Sequence, residues 1–595
     1  MTLISFLAFT ILVAVISYYY TSGDTNQTSD DYFLGGRSLT AGVIAGSLLL
    51  TNLSTEQLIG LNGTAFTEGI LVMCWETLAA IAMVVTALFL LPRYLKGGLT
   101  TVPQFLESRY DTVTKTIASA LFLSGYVVVL LPIVLYSGAL AFVSMFDIPE
   151  QLGISETAAL WLCVWGIGII GSIYAVFGGL KAVAISDSIN AVGLLIGGLM
   201  IPILGLLHIG DGSIATGIDN LYQFDPSKFN AIGDSSASVP FATIFTGMML
   251  VQLFYWGTNQ AIIQRALAAK DLKEGQKGLL LAAGVKILGP LILVLPGMIA
   301  FYLFKGQLNT PDQAYPELVK AVLPAPLVGF FAAVIFGAIM SSFNSTLNSS
   351  VTLFGLDIYK EHINKDASDE AVIKYGKRFG LLLAFLAMFI APFIANAPKG
   401  LFGYLQEING CYSIPILTII VVGYLTKRVP AIAAKIAILL GAILYAISQF
   451  ALKPYLVYQA KLPLLTELKE GVVAKLAEVN SFSNLSIEQS DLLKEYENLR
   501  NYSNEQINNL GNILNIDTSQ LDSIIGGAYP HFLHVMAILF VMNVIIMLVI
   551  GQLKPRSSDF KLAYSEEVDI TPYAYAKPVS LVILVIVIFS YVYFS

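Results

Sequence analysis

Stretches of roughly 20 mostly apolar residues, the length an α-helix needs to cross a bilayer, recur along almost the whole chain. Fourteen spans are predicted, at about 2–20, 40–66, 70–93, 116–145, 157–178, 183–208, 241–265, 279–304, 326–357, 376–395, 401–425, 432–452, 530–552 and 576–595. The first stretch, MTLISFLAFTILVAVISYYYTSGD, has no basic leading region and no small-residue cleavage site, so it is read as a retained helix rather than a signal peptide. The pattern lapses at 453–529, where ten acidic and six basic side chains gather. There LLTELKEGVVAKLAEV and LSIEQSDLLKEYENLRNYSNEQI have helical spacing and few breakers. A small helical extramembrane insert is expected, a cap or docking surface for an unknown partner rather than part of a substrate path.

Composition agrees. Of 595 residues 56% are hydrophobic and 12% charged, with a mean hydropathy of +0.74; a soluble protein carries about 25% charge. An all-α integral membrane protein follows. Numbering the loops and sorting Lys and Arg sends 22 to one side of the bilayer, while the short loops of the other side hold only Lys228, Lys305, Lys320 and Lys399. Basic residues favour the cytoplasm, which places both termini outside it. Cys74, Cys163 and Cys411 lie in separate apolar segments with no ligand spacing and are expected to be buried hydrophobes.

Polar groups inside the spans are the candidate chemistry, because the bilayer penalises them. In SLLLTNLSTEQLIGLNG (47–63), Thr51, Asn52, Ser54, Thr55, Glu56 and Gln57 crowd together. Glu76 in VMCWETLAA and Lys286 in AAGVKILGP either pair with each other or share a polar ligand. Asp187 is expected near a cytoplasmic helix end, as a cap or an ion group. In the ninth span, Ala338, Ser341, Ser342, Ser345 and Ser349 share one helical face; they suit helix packing or a small hard cation. The seventh span is interrupted at Gln252, Phe254-Tyr255-Trp256, Gly257 and Thr258-Asn259-Gln260. Interruptions in spans two and seven, five apart, point to a transporter with two inverted five-helix halves and a site at the midplane. The polar block of span two is then where the helix unwinds, since freed carbonyls need a cavity or an ion.

The stretches DYFLGGRSL, NLSTEQLIGL, TVPQFLESRY, YAVFGGLKAV, FYWGTNQAIIQRALAAK, AYPELV, AIMSSFNSTLNS and YLQEING, in this order, resemble the sodium/solute symporter family and, within it, bacterial sodium–sugar cotransporters. The resemblance covers about 1–450 and 530–575. It implies a LeuT-type five-plus-five inverted repeat core. In that scheme 1–39 is an extra helix and loop, 40–208 the first repeat and 241–425 the second. Residues 432–452 form helix 12, 453–529 the extracytoplasmic insert, and 530–595 helices 13 and 14. The resemblance further implies sodium held by the carbonyls of Leu50, Leu53 and Ala338 and the hydroxyls of Ser341 and Ser342, with Asp187 on the sodium path. It puts the substrate on Gln57, Glu76, Gln252, Lys286 and Gln406, with Tyr255 as an aromatic gate and Trp256 beside it. Gln252, Phe254 and Trp75 depart from the sugar carriers at positions that bear on which sugar is carried.

The implied activity is sodium-coupled import of a neutral sugar or polyol across a bacterial inner membrane, with lipid and the small substrate as the partners. No Arg falls in a span except at cytoplasmic ends, and a carboxylate substrate would be expected to meet one; a sialic acid, inositol or a small carboxylate are the alternative solutes. An integral membrane enzyme is the rival class. It would need nucleophiles or metal-ligating clusters, and with four His in all the pair His531 and His534 is read as chance. No long output domain supports a sensor, and nothing suggests nucleic-acid binding.

Overall fold

The computed structural model describes residues 2–21, 28–235, 237–308, 310–396, 401–479, 504–514, 516–518 and 520–595. Nearly all regular structure among them is helical; the one β feature is a single bridge between Leu39 and Ala269. Among the described residues ten helical stretches are long and apolar enough to cross a membrane, or eleven if the pair Leu272–Lys286 and Gly289–Phe304, bent by 50°, counts as one span. The expected spans outside that count have local reasons. The first is a 20-residue helix, Thr2–Thr21, of which only Thr2–Ser17 counts toward a span. Expected spans two and three run together in the stretch Thr55–Lys96, where Gly69 at φ +78 turns the chain and packs on the Lys228 backbone. Span seven is in two pieces.

The elements that carry the site are α1 (Ala41–Asn52), α2 (Thr55–Glu68), α3 (Cys74–Val85), α4 (Glu156–Ile209), α5 (Gly247–Gly257), α6 (Gln260–Leu267), α7 (Leu272–Lys286), α8 (Ala325–Thr352) and α9 (Leu401–Leu425). α1 lies between α4 and α7, α8 packs along α4, and α3 lies between α5 and α7. Lipid gives helices no hydrophobic reason to associate, so close backbone approach at small residues matters. On α1, a Cβ at Gly46 would stand 2.8 Å from the Ser188 Cα of α4; on α2, one at Gly60 would stand 2.7 Å from the Phe402 Cβ of α9.

Both expected interruptions are present. After Asn52 the chain leaves the helix at Leu53 (φ −75, ψ 56) and is extended at Ser54 (φ −94, ψ −177) before α2 begins. After Gly257 it breaks at Thr258, and Asn259 (φ −69, ψ 116) caps α6, its side chain accepting from the Ala261 N–H at 3.1 Å.

Two expected boundaries differ. Residues 157–178 and 183–208 fall in one helical run, Glu156–Ile209, which holds two candidate spans, Glu156–Ile173 and Leu180–Ile209, and Asp187 lies about two turns into the second. The helix Ala431–Ile447 likewise continues through Ser448–Leu452 into Lys453–Val479, so no break separates helix 12 from the insert. Polarity changes at 453 and a proline follows at once, but the helix runs through both Pro454 and Pro463. In the insert, Asn504–Leu514 and Leu521–Ala528 are helical as well. Most of the second helix expected there lies outside the described residues.

Candidate functional site

A helix end leaves its last carbonyls and first amides without intrahelical partners. Two such ends meet inside the bundle, and a polar cavity of about 20 Å³ opens beside them, lined by Asn52, Gln57, Trp75, Ala79, Val251, Gln252, Tyr255, Trp256, Lys286, Phe402 and Gln406. A second, also about 20 Å³, is lined by Glu56, Gln57, Leu130, Tyr255, Asn259, Phe402, Leu405, Gln406, Asn409 and Tyr412. Each is large enough for about one water. Gln57, Tyr255, Phe402 and Gln406 belong to both and form the wall between them.

Seven of the eight expected substrate residues, Gln57, Trp75, Gln252, Tyr255, Trp256, Lys286 and Gln406, line the first cavity. The eighth, Glu76, stands behind Lys286 and forms an ion pair with it, both side chains at most 1% exposed. The two groups therefore pair with each other in this structure. The Lys286 Nζ also lies 5.7 Å from the Trp256 ring centre. With its amide turned to satisfy both atoms, Gln57 donates to Glu76 Oε1 at 3.3 Å and accepts from Asn52 Nδ2 at 3.1 Å. Gln252 donates to the Trp75 carbonyl at 2.9 Å, and Phe402 meets Trp75 edge-on with ring centres 5.0 Å apart. The lining is therefore amide groups and aromatic faces, a surface that hydrogen-bonds hydroxyls and stacks on apolar ring faces.

The residues expected to hold a cation lie on the other side of α1. Leu50, Leu53, Ala338, Ser341 and Ser342 are all buried. Ser342 Oγ donates to the Thr51 carbonyl at 2.8 Å, and the Thr51 hydroxyl lies 3.2 Å from both Ser341 Oγ and Ser345 Oγ. Hydroxyls and a backbone carbonyl thus join α8 to the broken end of α1. Neutral oxygens of this kind suit a hard monovalent cation. Asp187 on α4 accepts from Ser47 Oγ at 2.6 Å and brings the negative charge nearest to this group.

One expectation is corrected. Arg265, read as a cytoplasmic loop charge, is wholly buried on α6. Its Nε donates to Ser47 Oγ at 3.2 Å, and its two terminal nitrogens donate to the Ala261 carbonyl and to Ser345 Oγ. None of the residues lining the two cavities is an Arg; Arg265 stands with the hydroxyls of Ser47 and Ser345 instead.

The model of the sodium:solute symporter family matches residues 32–441. The chain belongs to that family. The symporter is 43% identical over 98% of its length to the uncharacterized symporter YidK of Escherichia coli (strain K12), covering 89% of that protein. It is 33% identical over 74% of its length to the sodium/glucose cotransporter of Vibrio parahaemolyticus, covering 83% of it. Against sodium/myo-inositol cotransporter 2 of Oryctolagus cuniculus it is 30% identical, with 73% and 67% of the two chains covered. Its fold is that of a Na+-coupled sialic acid symporter solved in a substrate-bound outward-open state, with a TM-score of 0.66, 20% identity, and 76% and 92% of the two chains covered. The protein is therefore a multi-pass membrane transporter, not an enzyme, and sodium is its coupling ion.

Sequence reasoning missed several of the symporter's cavity residues. Asn52 and Glu56 sit in the polar block that drew attention, but the break at Leu53 resets the helical phase, so periodicity does not say which of its side chains face inward. Phe402 and Tyr412 arrive from α9 as aromatics of an apolar span, and Asn409 stands beside Gln406 and Glu407 in YLQEING, a cluster of which only Gln406 is expected from the sequence.

Proposed function

We propose that this symporter imports a neutral sugar or polyol together with sodium across the bacterial inner membrane, by alternating access around the two cavities. The observation that carries the reading is the lining: Gln57, Gln252, Gln406 and Asn52 offer amides, Trp75, Trp256, Tyr255 and Phe402 offer ring faces, and the one cation, Lys286, is already paired with Glu76. A carboxylate substrate would find no free positive charge there, which argues against a sialic acid and small carboxylates; inositol stays within the proposed class. The names of the sodium/glucose and sodium/myo-inositol relatives point the same way.

Sodium is assigned to Leu50, Leu53, Ala338, Ser341 and Ser342, where the broken end of α1 meets α8. The reading keeps fourteen spans, with inverted repeats over 40–208 and 241–425 and both termini outside the cytoplasm, as the basic-residue asymmetry requires. Cavities with room for about one water each fit an occluded stage of the cycle.

Proteoliposomes holding the purified protein and offered a panel of sugars, polyols and carboxylates test the proposal. Uptake of a neutral member that collapses when choline replaces sodium is expected. Preferential uptake of a carboxylate would overturn the substrate class.

A further inference from the structure

We propose that Arg265 is a tethered cation that shares Asp187 with the transported sodium and so sets how loosely that ion is held; the proposal rests on the sodium assignment above.

Arg265 is buried with 0% exposure, and among the described residues no carboxylate lies in direct ion-pair contact with it. Its link to a negative charge runs through one hydroxyl: Arg265 Nε donates to Ser47 Oγ at 3.2 Å, and Ser47 Oγ donates to Asp187 Oδ2 at 2.6 Å. A second link runs toward the assigned sodium ligands. Arg265 donates to Ser345 Oγ, which lies 3.2 Å from the Thr51 hydroxyl. That hydroxyl lies 3.2 Å from Ser341 Oγ, and the Thr51 carbonyl accepts from Ser342 at 2.8 Å. The guanidinium therefore stands one hydroxyl from the carboxylate and two from a sodium ligand.

A buried charge is tolerated only with compensation. Without sodium, Asp187 and Arg265 balance. A sodium ion among neutral carbonyls and hydroxyls adds a second positive charge to the same carboxylate, and the low-dielectric interior does little to screen the repulsion from the guanidinium. Such an ion binds less tightly than one facing Asp187 alone. A coupling ion needs this, because a site must be favourable enough to enter and weak enough to leave. Arg265 is on this account a positioning residue: it acts on sodium through charge and touches no substrate.

The test is a sodium titration of the purified protein without substrate, at constant ionic strength with choline. It is read by tryptophan fluorescence and by the shift in melting temperature. Arg265→Gln is expected to lower the half-saturating sodium concentration about tenfold, equivalent to about 1.4 kcal/mol, while Arg265→Lys, which keeps the charge, stays near wild type. Unchanged or weaker sodium binding in Arg265→Gln overturns the proposal, as does a lysine variant that behaves like the glutamine one. Should Arg265→Gln not fold, the comparison moves to Asp187→Asn against Asp187→Asn/Arg265→Gln: the double variant must bind sodium more tightly than the single, and equal or weaker binding overturns it. Failure of the sodium assignment itself appears separately, as Ser342→Ala with native sodium binding.

Discussion

At the scale of single residues, the Glu76–Lys286 pair decides the most. Two charges inside a bilayer protein are stable only together, so Glu76→Gln strands a buried ammonium and is expected to cost about 3–5 kcal/mol of stability. Removing both charges, as Glu76→Gln/Lys286→Met, should recover most of the melting temperature but not substrate binding, because the Gln57 amide then loses its carboxylate partner. A double variant that binds substrate normally would reduce the pair to scaffolding. Ser342→Ala removes a hydroxyl that joins α8 to the Thr51 carbonyl. Its expected effect is sodium binding weaker by about 1–3 kcal/mol, read as a rightward shift of the titration with little change in stability without sodium. Both positions were legible in the sequence for one reason: polar atoms deep in apolar spans are costly, so each signals a partner. Arg265 was not. A charge near the end of an apolar run is by default a loop charge, and its hydroxyl partners Ser47 and Ser345 lie far away in sequence.

At the scale of helices, the two breaks were readable because polar residues cluster where the backbone lets go, at Leu53-Ser54 and at Thr258-Asn259. The continuous helices were harder. Where 157–178 meets 183–208, Gly178, Gly179 and Lys181 imitate a loop, yet none of them forbids helix, and the helical run is unbroken. The 50° bend between α7 and Gly289–Phe304 has a use that no local pattern records. It brings Gly289 against Glu76, where an added Cβ would lie 3.1 Å from both the Glu76 Cβ and its carboxyl carbon. Gly289→Ala must therefore push Glu76 or the bend itself aside. The expected outcome is a destabilised protein with weakened substrate binding. Its sodium titration should stay closer to native, because α8 and α1 are untouched. Loss of sodium binding with substrate binding intact would mean the bend serves the ion and not the Glu76–Lys286 pair.

At the scale of the whole molecule, the chain divides by packing into a bundle that holds both proposed sites and an insert with an apolar cluster of its own. Leu464, Leu465, Leu468 and Val472 of the Lys453–Val479 helix pack with Ile507, Leu510 and Leu521, apart from the main core that contains Leu50, Ala338 and Trp256. A unit that buries its own hydrophobic residues has little need of the bundle and can open or be lost with small effect on it. What ties the two together lies at the insert's edges: Lys453 Nζ meets Glu407 at 2.5 Å, and Ser448 hydrogen-bonds Tyr529 at 2.5 Å. Every residue assigned to substrate or sodium lies outside 453–529. Replacing 458–525 by a short Gly/Ser linker removes the cluster and keeps both anchors, and closing the gap costs little because loop entropy changes slowly with length. The shortened protein is expected to fold, to bind sodium as the full chain does, and to keep most of its sodium-driven uptake in proteoliposomes. Folded, sodium-binding protein that no longer transports would make the insert part of the substrate path.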